Sequence, residues 1–174
     1  KNTPHAHSIA LISIGLGSAI TIGLLVALGV FDFTAQAVIP IGGMVIGNSM
    51  TTATLVITRL TTDVQSQRLE IESMLALGAT GREASLPQFR RNIRNAMIPI
   101  IDTTKTVGLI KLPGAMTGMI LAGASPIEAV QLQIIVMYML VGAATFTGLS
   151  SAYLTYQQLF TPHHQLKLNQ SRES

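Results

Sequence analysis

Ile9-Ala-Leu-Ile-Ser-Ile-Gly-Leu-Gly-Ser-Ala-Ile-Thr-Ile-Gly-Leu-Leu-Val-Ala-Leu-Gly-Val-Phe31 carries no charged residue. A helix of about twenty residues, rising 1.5 Å per residue, crosses the roughly 30 Å hydrocarbon core of a bilayer. Gly15, Gly17, Gly23 and Gly29 punctuate the run, and small residues of this kind let membrane helices approach closely. The stretch is too long and too poorly flanked for a signal peptide. It reads as a transmembrane helix, and the fold class follows from it.

The whole chain has the same character. It has 174 residues, 48% hydrophobic and only 11% charged, with a mean hydropathy of +0.49. A soluble domain of this size needs more charge to cover its surface. The charges are also segregated. Six of the seven arginines fall between Arg59 and Arg94, because a charge at the bilayer centre costs several kcal/mol. The net charge of +3 therefore reports loop orientation, and no nucleic-acid partner is implied. With no cysteine, disulfides, thiolate metal sites and cysteine nucleophiles are excluded.

Residues 1–174 read as a single transmembrane domain of an all-α, polytopic integral membrane protein. Spans are expected at about 9–31, 36–57, 98–122 and 130–153. Between the second and third lies a segment of a different kind, 60–97. Asp63 to Leu77 has amphipathic spacing, Gly78-Ala-Thr-Gly81 breaks it, and a second helical stretch carries Arg82, Arg90, Arg91 and Arg94. Pro87 is a kink or boundary within that stretch. The pair is expected to form a helix–turn–helix hairpin at the membrane surface.

The 98–122 region is too polar for a simple lipid-facing helix. It holds Asp102, Lys105 and Lys111, and it is expected to break or hinge at Pro99, Pro113 and Gly114. Irregular backbone at membrane depth survives only beside protein or a water-filled cavity. Ser125-Pro126-Ile127-Glu128 has the serine cap, first-turn proline and capping-box glutamate of a helix start. Tyr153, Tyr156 and Phe160 form an aromatic exit from the last span, before a polar tail at 161–174. If 60–97 is cytoplasmic, four crossings place both ends of the chain inside, and neither outside loop carries a Lys or Arg. An inner, or cell, membrane location is expected.

Glu72-Ser-Met-Leu-Ala-Leu77-Gly78-Ala79-Thr80 resembles the cytoplasmic loop of ABC-transporter permeases, where a glutamate precedes a glycine turn. Three blocks then occur in order: Val38-Ile-Pro-Ile-Gly-Gly-Met-Val-Ile-Gly-Asn-Ser-Met50, Leu77-Gly-Ala-Thr80, and Ala96-Met-Ile-Pro to Leu121-Ala-Gly123. Together they resemble the FetB/YbbM family, the membrane subunit of an iron-export ABC transporter, to which plant aluminium-tolerance permeases are related. The similarity runs from the first span to Tyr156. Because family members carry additional N-terminal spans and this chain begins at Lys1, it is expected to correspond to their C-terminal part.

The resemblance implies a permease homodimer in the bilayer with two cytoplasmic ATPase subunits, working by alternating access. Glu72, Leu77, Gly78, Ala79 and Thr80 would then couple to the ATPase. Taken alone, Leu77-Gly-Ala-Thr80 is also an ordinary helix stop. Nothing matches G-x-x-x-x-G-K-[ST], so any ATP is bound and hydrolysed by the partner, and this chain needs no cofactor of its own. Iron export is an expectation from the family alone.

Met44, Asn48, Asp102, Lys105 and Met116 are candidates for a translocation path. Thioethers suit Cu(I) better than iron, and methionine is as often gap-filling packing; no metal ligands are assigned. Asn48 reads also as an interhelical hydrogen bonder. Asp102 and Lys105, one turn apart, are placed to pair. Gly43-xxx-Gly47, Gly114-xxx-Gly118 and Gly148-xxx-Ala152 are close-packing signatures for a compact bundle or a dimer. Arg90, Arg91 and Arg94 anchor the inside face or dock the ATPase, and the histidines at both chain ends read as solvated tails or a metal sensor.

Two rivals remain. A secondary transporter would use Asp102 as its ion or proton site and work without an ATPase. A membrane scaffold would transport nothing. An integral membrane enzyme would need convergent catalytic groups, and neither H-E-x-x-H nor G-x-S-x-G occurs.

Overall fold

The computed structural model describes residues 6–29, 35–106, 114–161 and 165–166. Six helices follow in order: α1 Ala6–Ala27, α2 Ala35–Ser66, α3 Arg68–Ala76, α4 Gly81–Thr106, α5 Gly114–Leu121 and α6 Pro126–Leu159. No strand occurs among the described residues; an isolated bridge joins Phe160 to Leu166. Three of these helices are long and apolar enough to cross a bilayer, over Ala6–Ala27, Val38–Ser66 and Pro126–Leu159. The protein is an all-α, polytopic membrane protein.

Those three helices form the bundle, with α1, α2 and α6 each in contact with the other two. Their directions follow from two core clusters. At one end Ile9 of α1 meets Ala53 and Ile57 of α2, with Leu154 of α6 against them. At the other, Val45 of α2 meets Val136, Met139 and Ala143 of α6, with Leu25 of α1 alongside. Thus α1 runs antiparallel to both α2 and α6.

Glycine and hydroxyl side chains set the spacing. A methyl at Gly17 would run into the side chain of Thr147, and one at Gly148 would meet Thr52 Cγ2 at 3.4 Å. Of the three small-residue signatures, only Gly148-xxx-Ala152 has such a neighbour. Among the described residues nothing lies within 4 Å of a methyl placed at Gly43, Gly47, Gly114 or Gly118, so those two signatures pack against no described helix. The threonines of α2 adapt to an apolar setting by local bonding. Thr51, Thr52, Thr54, Thr61 and Thr62 each donate to the carbonyl four residues back, which satisfies the hydroxyl within its own helix.

At 32 residues, α2 is about 48 Å long and overruns a bilayer core of roughly 30 Å. It therefore carries the arginine-rich end of the molecule on the same rod as its span. The amphipathic helix expected over Asp63–Leu77 is divided: its first turn belongs to α2, and α3 begins beyond Gln67. Backbone bonds from Gln67 N to Asp63 O (3.0 Å) and from Ile71 N to Gln67 O (3.1 Å) bridge the irregular residue.

Helix α4 also departs from expectation. It runs through both Pro87 and Pro99, so neither residue ends it. A proline removes one amide donor and crowds the preceding turn, and contacts with α2, α3 and α6 hold the helix continuous. Gly114 opens α5, whereas Pro113 lies outside the described residues. The 98–122 region therefore comprises the end of α4, the undescribed 107–113 and α5. Among the described elements, helix α5 contacts α6 alone.

Phe160 was expected at an aromatic exit, yet it is only 5% exposed. The chain turns back after α6, with Thr161 N donating to Gln165 O at 2.8 Å, and Leu166 covers the same core cluster. Burial rather than the membrane boundary fixes Phe160. Of the four histidines, only His7 lies within the described residues.

Candidate functional site

The turn between α3 and α4 is built entirely from local signals. Gly78 has φ +93°, in the left-handed region that glycine enters without a Cβ penalty. Gly78 N donates to Leu75 O at 3.0 Å and Ala79 N to Met74 O at 3.1 Å, the paired bonds of a Schellman stop. Thr80 then starts α4. Glu83 N donates to Thr80 Oγ1 at 3.3 Å, and Glu83 Oε2 accepts from Thr80 N at 2.9 Å and Thr80 Oγ1 at 2.8 Å. This reciprocal capping box commits Thr80 to helix initiation. Its signal, Thr80-x-x-Glu83, was open to sequence reading and overlooked there.

One face of α3 is anchored and the other is free. Ile71 is fully buried, and Met74 and Leu75 pack on the same cluster as Val64, Ala84 and Phe160. Leu69 and Leu77 stand 81% and 89% exposed. Glu72 Oε1 accepts from Arg68 Nε at 2.7 Å, so its carboxylate is held by a neighbour one turn away. Both partners remain partly exposed, and such a pair adds little stability.

A polar clasp joins this hairpin to α2. Asp63 Oδ2 accepts from Arg91 Nη2 and Asn92 Nδ2, both at 2.9 Å. Gln67 Oε1 accepts from Gln88 Nε2 at 2.8 Å. Asn92 and Gln88 are buried, where hydrogen bonds strengthen and unpaired groups are costly. Asp63, Gln67, Gln88 and Asn92 are structural partners that the sequence gave no spacing rule to find, since the bonds join residues 21 to 29 positions apart. Arg91 is paired in this way. No ion pair or hydrogen bond holds Arg59, Arg82, Arg90 or Arg94 among the described residues.

The five path candidates are not assembled. Asn48 Nδ2 donates to Met44 O at 3.0 Å within its own helix, and the expected interhelical bond is absent. The amide reaches the i−4 carbonyl more readily than a neighbouring helix. Asp102 and Lys105 are exposed and form no ion pair among the described residues, contrary to expectation. Met116 is half-buried on α5, which does not touch α2. Among the described residues no three His, Cys, Asp or Glu converge as metal ligands.

The sequence profile of the uncharacterised protein family UPF0014 matches residues 1–160. The chain belongs to that family. Its UPF0014 relatives include the membrane protein STAR2 of Oryza sativa subsp. japonica, 50% identical over 95% of this chain. The protein ALUMINUM SENSITIVE 3 of Arabidopsis thaliana is 48% identical over 96% of the chain. The Escherichia coli protein named "Probable iron export permease protein FetB" is 40% identical over 94%. This is the family whose motifs the sequence resembles. The chain spans 58%, 61% and 63% of the lengths of these three relatives. No solved structure matches it.

Proposed function

We propose that this UPF0014 chain is the membrane-spanning part of an ATP-driven transporter of the ABC type. A separate cytoplasmic ATPase would dock on α3 and the glycine turn. The observation that carries this reading is the turn itself: Leu77 is exposed at the tip of a helix whose opposite face is locked into the core. An exposed leucine on a rigid support is the kind of anchor that fills a pocket on a partner. The capping box joins the turn to α4, and the Asp63–Arg91–Asn92 clasp joins α4 to α2. Displacement of the turn would therefore be passed to the spans. ATP would be bound by the partner alone.

The cargo is a metal ion in this reading, by analogy with the iron in the printed name of FetB. Asp102 and Lys105, exposed and without an ion pair among the described residues, would be costly against lipid, so that part of α4 belongs beside protein or a water-filled path. Met44, Asn48 and Met116 remain path candidates, and the open surfaces at Gly43 and Gly47 suit a second copy of the permease. Asp102 also favours a second reading, a secondary transporter with that carboxylate as its ion site. Transport without any ATPase would select it.

The test is co-purification of the full-length permease with its ATPase, together with ATPase stimulation in proteoliposomes. Leu77→Asp should weaken ATPase binding at least about tenfold, as loss of an interface anchor does, while melting in detergent stays unchanged. Glu72→Ala should reduce stimulation with insertion intact. Normal binding and stimulation in both variants would remove the coupling role.

A further inference from the structure

A cleft of about 240 Å³ opens between the start of α4 and the end of α6, lined by Arg82, Ser85, Leu86, Phe89, Tyr153 and Tyr156. Three features define what fits it. The first is its depth. Leu154 packs on the cluster containing Ile57, and Arg59, two residues on, marks where the apolar run of α2 gives out. Tyr153, 58% exposed, therefore stands at the membrane boundary, where amphipathic rings are enriched.

The second feature is charge. Arg82 is exposed and has no carboxylate or other partner among the described residues. It occupies the first turn of α4, where the positive end of the helix disfavours a cation. Glu83 already offsets that positive end by accepting from Thr80 N at 2.9 Å, so the charge left for an anion in the cleft to meet is the guanidinium of Arg82 itself. Arg59, Arg90 and Arg94, also without an ion pair among the described residues, add positive potential at this end of the molecule, against Glu70, Glu72 and Glu83 in the same segment. Ser85 contributes less, because its hydroxyl donates to Gly81 O at 2.8 Å.

The third feature is the apolar wall. Leu86 and Phe89 are half-buried beside the phenols, and Phe89 packs on the core cluster. A basic group, two phenols and an apolar wall at the boundary match an anionic amphiphile. The volume lies below the roughly 300–1,000 Å³ of sites that enclose a drug-sized solute. It admits a headgroup whose chains stay in the bilayer.

We propose that this cleft binds the phosphate headgroup of an anionic phospholipid from the leaflet on the arginine-rich side. Arg82 contacts the phosphate, Tyr153 and Tyr156 face the glycerol and ester oxygens, and the acyl chains leave along Leu86 and Phe89. Basic pockets between membrane helices bind lipid headgroups in this way. The site is independent of ATPase coupling and stands if that reading fails.

Native mass spectrometry of the delipidated full-length permease, offered phosphatidylglycerol or phosphatidylcholine, tests it. Phosphatidylglycerol adducts should be retained preferentially. Arg82→Gln should weaken that retention about fivefold, equivalent to about 1 kcal/mol for one basic group at an anionic surface, and Arg82→Lys should keep most of it. If Arg82→Gln also lowers the melting temperature, Tyr153→Leu on the other wall carries the test with the same expected direction. Equal retention of the two lipids, or unchanged adducts in both variants, overturns the proposal. Displacement of phosphatidylglycerol by inorganic phosphate would assign the site to a soluble phosphate instead and overturn the lipid.

Discussion

Two turns in this protein share a spelling, Gly78-Ala79-Thr80-Gly81-Arg82-Glu83 and Gly123-Ala124-Ser125-Pro126-Ile127-Glu128. They share a geometry too. Gly78 has φ +93° and Gly123 φ +91°, and each is followed by the same pair of Schellman bonds, from Gly123 N to Ile120 O and from Ala124 N to Met119 O in the second turn, both 3.0 Å. In each, the hydroxyl residue caps the next helix by accepting from the glutamate amide, at 3.3 Å for Thr80 and 3.2 Å for Ser125. The first turn ends α3 within the arginine-rich hairpin. The second ends α5 at the start of α6, the opposite end of the bundle. A shared local code thus builds the same stop-and-start at both ends, and it does not specify what either turn is for.

They differ at the first position of the new helix. Pro126 is there in one turn, preorganised for a helix start. Gly81 is there in the other, and a Cβ on it would come within 2.8 Å of Phe160 Cδ1. Propensity alone would place proline at both. Phe160 excludes it from the first turn, because its ring, 5.0 Å from that of Tyr156, fills the space beside Gly81. The glycine is there for close packing.

The largest effect should come from exchanging these residues. Gly81→Pro should lower stability by about 2–3 kcal/mol, as overpacking of a filled core does, although proline is locally favoured. Pro126→Gly should cost no more than about 1 kcal/mol. Thermal unfolding in detergent measures both, and equal losses would mean that Phe160 does not distinguish the turns. Next, Thr80→Ala should cost about 1–2 kcal/mol and Ser125→Ala about 1 kcal/mol, since Glu83 reciprocates toward Thr80. Hydrogen exchange at the first turns of α4 and α6 would read the difference. Gly78→Ala and Gly123→Ala should each cost about 1 kcal/mol, the low end for a left-handed alanine. The two should melt alike, and only Gly78→Ala should alter ATPase stimulation.

Much of this was legible because it is local. Three of the four expected spans are legible in apolar runs, the Gly78 stop in a glycine after an amphipathic stretch, and the start of α6 in Ser125-Pro126-Ile127-Glu128. The Thr80–Glu83 box is equally local, since its spacing is that of a capping box. Other features had no local signature. The length of α2 beyond its span, the continuity of α4 through Pro87 and Pro99, and the pairing of Asp63 with Arg91 depend on which helices touch. The cleft at Arg82 joins residues from α4 and α6 that lie about seventy positions apart in the chain.

By itself, the sequence determined that this is a helical membrane protein resembling the FetB/YbbM permeases, with one arginine-rich segment and a glycine turn inside it. Apolar run length, charge segregation and capping residues act over a few neighbouring positions, and their energies do not wait for a partner element. Only the tertiary structure decided which glycines pack and which lie open, that Phe160 is core, and that Asn48 satisfies itself within its helix. It likewise separated Glu72, paired with Arg68, from Leu77, left exposed beside it. Those outcomes depend on which surfaces meet, and contact between distant segments is not encoded in the spacing of either one.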